Sequence, residues 1–191
     1  LAIGPTIDDG FYYDIETEDA ISIDDLKKIE DEMIKIVKTK SSITKKLVGK
    51  EDALKIFKSQ KETYKESIIE ESEQINDFQL YYQDDEKFVD LCRGPHLPNL
   101  SFVGAFKLTK VSGAYWKGDS KNKMLTRIYG TAWKNEKELN KYLTTLDEAQ
   151  KRDHRKLGKE MNLFHFQDEA PGMVFWHPDG WTIYRLSLIH I

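Results

Sequence analysis

One cysteine in 191 residues, Cys92, leaves no partner for an internal disulfide and points to a reducing, intracellular setting. No run approaches the ~18 consecutive apolar residues that a membrane span needs, which excludes an integral helical membrane protein. The first residues, Leu1-Ala2-Ile3-Gly4-Pro5, carry neither an initiating methionine nor the basic flank of a signal peptide. They read as a chain that begins inside a domain. Internal repeats and low-complexity tracts are missing too, which sets aside solenoids and disordered tails. What is there is a globular composition, with 39% hydrophobic, 32% charged and 12% aromatic residues, long enough for one large domain or two small ones.

The net charge of −4 hides an asymmetry. Residues 1–90 hold 13 Lys and Arg against 23 Asp and Glu, whereas residues 91–191 hold 16 against 10. The acidic part is a poor surface for polyanions, and the later part suits phosphate. A dipolar surface that only maintains solubility explains the same counts.

Periodicity predicts an α+β chain. Leu1 to Pro5 and Gly10 to Glu16 read as two short strands around the turn Thr6-Ile7-Asp8-Asp9. A helix follows, capped by Ser22, with Leu26, Ile29, Met33, Ile36 and Val37 on its apolar face. Ile43 to Val48 reads as a strand, Glu51 to Lys58 and Glu62 to Glu73 as helices, and Phe78 to Tyr82 again as a strand. The pattern breaks from Lys87 to Pro98. Phe106 to Val111 and Met124 to Trp133 form a strand pair across the basic connection Lys117 to Lys123. One long helix capped by Asn135 is expected to keep its apolar spacing as far as Met161, exposing Lys151, Arg152, Arg155, Lys156 and Lys159 as a basic surface. Pro171 to Pro178 reads as a turn, a buried strand and the start of another element.

The stretch richest in chemistry is Asp90-Leu91-Cys92-Arg93-Gly94-Pro95-His96-Leu97-Pro98. A thiol and an imidazole four residues apart in a Gly/Pro-stiffened loop admit three roles: half of a zinc site, a nucleophile with its base, or a polar pocket for a small hydroxylated group. A buried cysteine beside a turn histidine is the fourth, bland reading. On residue pattern alone, Lys65 among glutamates is a salt-bridging surface lysine, Tyr13 is a core residue and His154 is exposed, while His177, before a proline after an apolar strand, suits a structural role equally with a functional one.

Six segments, taken together and in order, resemble bacterial threonyl-tRNA synthetases. They are Gly4-Pro5 with Gly10 to Asp14, Asp90 to Pro98, Gly113 to Trp116 with Gly118-Asp119, Arg127 to Trp133, Arg152 to Gly158, and Pro171 to Trp181. The resemblance spans residues 1 to 185. It implies a class II ligase that joins threonine to tRNA(Thr) with ATP and hydrolyses mischarged seryl-tRNA(Thr) in a separate editing domain. By that resemblance, residues 1–134 are an editing domain of the second-additional-domain type, built on antiparallel sheet with helices. Residues 135–152 are then a long linker helix, and 153–191 the truncated start of the catalytic core. Cys92, His96, Lys65, Asp90 and Tyr13 match editing-pocket positions, and Lys151 to Lys159 would lie near the tRNA or the domain junction.

The resemblance also implies zinc and Mg-ATP in the full-length enzyme, a homodimer, and a cytoplasmic location without membrane attachment; their ligands would lie outside this chain, and no metal ligand is assigned within it. Two histidines of the family's pocket would precede Leu1, and the segment Leu186 to Ile191 departs from the family's continuation and reads as a foreign end. The expectation is a polypeptide that neither activates threonine nor edits efficiently. Two other readings remain open at this level: a free-standing trans-editing hydrolase, and a non-catalytic module that binds zinc or tRNA.

Overall fold

A computed structural model describes residues 1–17, 19–84 and 86–191. In chain order the elements are β1 Thr6–Ile7, β2 Gly10–Ile15, α1 Ile23–Lys38, β3 Ile43–Val48, α2 Lys50–Ser59, α3 Thr63–Glu71, β4 Phe78–Gln83, β5 Phe88–Leu91, β6 Ala105–Tyr115, β7 Met124–Trp133, α4 Glu136–Lys151, α5 His154–Glu160, β8 Phe164–His165, β9 Phe175–Trp176 and α6 Pro178–His190. This is an α+β chain whose strands pair antiparallel throughout. Contacts divide it into two units, Leu1–Leu139 and Asn140–Ile191, with the division inside α4.

The first unit holds two sheets, ordered β1-β2-β7-β6 and β3-β4-β5. α1 covers the four-stranded sheet, where Leu26 buries against Leu108 and Ile128 with Ile29 and Met33 around them. Its start is fixed as the sequence predicts: Asp25 accepts from the Ser22 backbone N–H at 3.1 Å and from the Ser22 hydroxyl at 2.7 Å. Ile36, expected on the apolar face, is exposed. Glu30 is buried under the same helix, where it accepts the Leu108 N–H at 2.6 Å beside the β-bulge between Leu108 and Lys110. That bond satisfies a donor that the irregular register would otherwise leave without a partner. The second sheet packs on α2 and α3 around Ala53, Phe57, Ile69, Phe78, Leu80 and Val89.

Several local expectations need correction. The first hairpin turns at Asp8-Asp9 and its first strand is Thr6–Ile7. Leu1 to Pro5 lies alongside β2 through Ala2 N–H to Asp14 O and Asp14 N–H to Ile3 O, both 2.9 Å, without forming a strand. Phe88–Leu91 is a strand although its sequence has no run long enough to announce one, because the neighbouring β4 supplies the pairing. The expected long helix is two helices. Asp153 turns its carboxylate back onto the Arg155 N–H at 2.8 Å and so caps α5, ending the first helix at Lys151.

In the second unit β8 and β9 form a two-stranded ladder. Phe175 and Trp176, expected in a buried strand, are exposed, because a two-residue ladder covered only in part by α6, where Tyr184 meets the Trp176 ring at 5.2 Å, leaves much of both side chains uncovered. α6 continues through the segment Leu186 to His190.

Candidate functional site

Three elements of the first unit bring Lys65, Asp90 and Tyr13 together. Lys65 lies on α3, Asp90 on β5 of the three-stranded sheet, and Tyr13 on β2 of the four-stranded sheet. Lys65 is only 3% exposed, and its ammonium forms an ion pair with Asp90 Oδ1. Asp90 Oδ1 also accepts its neighbour's N–H, from Leu91 at 2.8 Å, while Oδ2 accepts the Tyr13 hydroxyl at 3.1 Å. Lys65 Nζ donates to that hydroxyl at 3.3 Å, closing a triangle. The surface salt bridge expected for Lys65 is therefore a buried one. Its helix faces the gap between two sheets rather than water, which spacing within a glutamate-rich segment cannot reveal.

Burial first, and then the Asp90 carboxylate beside it, pushes the Tyr13 phenol well above its ordinary value of 10.0. Tyr13 is thus a neutral hydrogen-bond donor at any working pH. Its neighbours on β2 are pinned across the sheet. Asp14 stands opposite Arg127 in register and takes its guanidinium in two bonds of 2.7 and 2.8 Å, with that guanidinium 3.9 Å above the Tyr12 ring. A slip of one residue would turn Tyr13 to the other face of the sheet.

The Cys92–His96 loop leaves directly from Asp90. Asp90 and Leu91 belong to β5, so the loop begins at Cys92, whose N–H bonds Gln79 O at 3.2 Å and extends the β4 pairing by one step. Gly94 has φ +62° and donates its N–H toward Cys92 Sγ at 3.5 Å, and the Gly94-Pro95 peptide is cis. A Cβ at Gly94 would collide with the Tyr81 hydroxyl, so glycine is required there both by conformation and by space. The His96 ring stacks on Tyr81 with centroids 3.9 Å apart and planes 15° from parallel.

Tyr81 stands directly opposite Asp90 in the β4–β5 register, which places both side chains on one face of the sheet. This tyrosine was missed by motif reasoning. The cross-strand register carries the signal, and register is not written in the loop's own residues. Among the described residues no hydrogen bond joins Cys92 to His96. Cys92 is half-buried and close enough to Tyr13 for its charge to bear on the phenol.

A cavity of about 530 Å³ opens nearby, walled by Glu62, Tyr64, Glu16 and Lys123 among others. None of Tyr13, Lys65, Asp90, Cys92 and His96 lines it. Glu62 connects the two, since its charge also raises the Tyr13 phenol.

The basic residues singled out on the expected long helix are split between the end of α4 (Lys151), the turn after it (Arg152) and α5 (Arg155, Lys156, Lys159), and are largely self-neutralised. Lys151 pairs with Asp147 at 2.6 Å and Glu148 at 3.3 Å, Arg152 with Glu148 at 3.1 Å, Arg155 with Asp153 at 2.6 Å and Lys156 with Glu160 at 3.9 Å. Lys159 is exposed near the end of α5. His154 is exposed as expected.

A second imidazole cluster sits in the second unit. His177 donates its Nδ1–H to Asn162 O at 2.8 Å, which leaves Nε2 to accept from His165 Nδ1 at 2.7 Å; Gln167 then donates to His165 Nε2 at 3.0 Å. The ring centroids are 5.0 Å apart, so the two facing nitrogens point at one another along a nearly straight line. That geometry suits a shared proton and not a metal ion, which needs lone pairs converging on a third point. Among the described residues no group of three or more His, Cys, Asp or Glu side chains is placed to hold a metal, and Cys92 and His96 gain no further donors.

Residues 79–129, which include most of β4, the Cys92–His96 loop and most of β7, match the family model described as the threonyl and alanyl tRNA synthetase second additional domain. The chain is 56% identical over 185 residues to the threonine–tRNA ligase of Legionella pneumophila (strain Corby), and 54% identical over 186 residues to that of Prochlorococcus marinus (strain MIT 9301). Each match covers 97% of this chain and 29% of the relative.

Proposed function

From a chain that resembles a stretch of threonyl-tRNA synthetase along 97% of its length, we propose that residues 1–134 are the proofreading part of such an enzyme, hydrolysing serine from mischarged tRNA(Thr). The observation that supports this reading is the buried Lys65–Asp90–Tyr13 triangle at the root of the Cys92–His96 loop. Serine lacks one methyl of threonine, and a pocket that selects by apolar contact gains only ~1–3 kcal/mol from it. A second, hydrolytic sieve supplies the missing discrimination.

Water attacks the aminoacyl ester carbonyl, the carbonyl oxygen takes up negative charge, and the ribose oxygen leaves with a proton. In this reading the Lys65 ammonium stabilises the oxyanion, held in place by Asp90. His96, steadied on Tyr81, moves the proton between water and leaving group. Tyr13, kept neutral, donates to Asp90 and orients it. Cys92 lines the wall without attacking.

On the same reading Asn135 to Arg152 link this part to a class II core beginning at Asp153, and Lys151 to Lys159 attract tRNA phosphates without reading sequence. The whole protein would then take ATP, threonine and tRNA(Thr), work as a cytoplasmic homodimer and carry zinc. The described residues supply no metal site, and no step above passes through one.

The test is serine release from seryl-tRNA(Thr), run beside threonine release from threonyl-tRNA(Thr). Preference for the seryl ester, at the low rate expected of this chain and lost in Lys65→Met, is the expected result. Equal release from both esters, or a Lys65→Met rate equal to that of the parent, overturns the assignment.

A further inference from the structure

Lys65 reaches one partner on each sheet, so the site exists only while α3 holds its place between them. α3 has nine residues and an isolated helix of that length is not stable, so its position must come from packing. Two adjoining stripes do the packing. Lys65 and Ile69, four residues apart, face the three-stranded sheet, where Ile69 is fully buried among Phe57, Leu80 and Val89. Tyr64 and Ile68, also four apart, pack against Trp116, Leu125 and Ala2.

Trp116 belongs to the tip of the β6–β7 hairpin, on the other sheet. Its ring meets the Tyr64 ring edge-on at 4.9 Å and 62°. The tip is built to hold that ring: Trp116 N–H bonds Lys123 O at 3.0 Å, the Asn122 amide bonds Trp116 O at 2.9 Å, and Lys117 adopts φ +56° to make the turn. Polar ties flank the contact on both sides. Lys117 pairs with Glu71 at the far end of α3, and the Tyr64 hydroxyl donates to Glu16 at 2.6 Å, which also pairs with Lys123. Those pairs are exposed and worth little alone. The buried indole is the part that fixes the helix.

We infer that Trp116 is a positioning residue: it braces α3 through Tyr64 and so sets the distance from Lys65 to Asp90 and Tyr13. The inference deepens the proofreading assignment and rests on it for the word catalysis, although the geometric effect can be read without any substrate.

The experiment acylates the folded chain with an amine-reactive acetyl ester and measures each lysine by peptide mass spectrometry, using exposed Lys28 and Lys137 as internal references. In the parent Lys65 reacts far more slowly than these. Trp116→Ala is expected to raise its relative rate by about tenfold or more, since labelling of a buried amine follows local opening, while Trp116→Phe keeps the parent rate. Leu26→Ala, a cavity of another cluster under α1, is expected to lower stability without changing Lys65. If Trp116→Ala does not fold, Trp116→Leu carries the test, because it keeps apolar volume and removes the ring contact.

An unchanged Lys65 rate in the Trp116 variants, or an equal rise in Leu26→Ala, overturns the brace. Serine release from seryl-tRNA(Thr) is measured on the same samples and is expected to fall with Lys65 exposure. If Lys65 opens as expected and the parent releases no serine, the proofreading assignment fails and the brace stands. Should the parent release serine while Trp116→Ala matches it in both rate and labelling, the brace fails alone.

Discussion

Lys65 and the basic run from Lys151 to Lys159 present opposite relations between charge and burial. The run looks important by count, yet its side chains are exposed and four of the five are already paired with carboxylates on the same helix or at its cap. Lys65 looks ordinary by count, yet it is a cation removed from water and answered by one carboxylate from another element. Charge density therefore reports where a chain can meet solvent ions. It does not report where a charge has been made expensive to move, and expense of that kind marks a candidate reaction site.

The contrast can be broken most directly at Lys65. Lys65→Met leaves Asp90 half-satisfied in the interior, and denaturant unfolding should show a loss of about 3–5 kcal/mol, as for other broken buried pairs. Lys65→Met combined with Asp90→Leu should recover a good part of it. If Lys65→Met costs no more than a surface substitution, the two regions do not differ as described.

Gly94→Ala comes next. It places a side chain at φ +62°, at a cost of about 1–2 kcal/mol, and pushes against Tyr81, so the His96 stack should open. The expected signature is loss of the His96 ring shift in NMR together with a loss of stability at least as large as that backbone cost.

A smaller effect belongs to Tyr13. Its folded phenol titrates above the ordinary 10.0, so its contribution to stability is complete below that pH and is lost as pH rises toward the folded value. Ultraviolet titration should find two tyrosines late, Tyr64, which burial and the Glu16 hydrogen bond push up to about 12, and Tyr13 later still, and Tyr13→Phe should remove only the last of them.

The smallest effects are expected on the basic helices. Alanine at Lys151, Arg152, Arg155 or Lys156 should shift stability by less than about 0.5 kcal/mol. If the run meets tRNA, replacing all five should lower the slope of log affinity against log salt by less than the ~4 anticipated for five free cations, because four must first give up their carboxylates.

Much of the scaffold was legible before any coordinates. Ser22 and Asp25 announce the start of α1, Ile43–Val48 forms with the bounds expected, and Met124–Trp133 holds its bounds. These are local matters of propensity and capping. β5 escaped because four residues beside a loop carry too little periodicity, and the single long helix failed because an aspartate's choice between helix interior and cap depends on where the chain must go next. At the site, Cys92 and His96 drew notice by their spacing. Lys65 and Tyr13 entered only through resemblance, and Tyr81 did not enter at all.

By itself the sequence determined the α+β class, the caps, most strands and the loop that carries thiol and imidazole, since each depends on neighbours within a few positions along the chain. Only the tertiary structure decided that Lys65 is buried, that Tyr13 and Asp90 come from different sheets to meet it, and that an indole at a hairpin tip wedges the helix between them. Those facts depend on pairs 25 and 52 residues apart, and desolvation at such a junction is a property of the assembled layers that no stretch of chain carries alone.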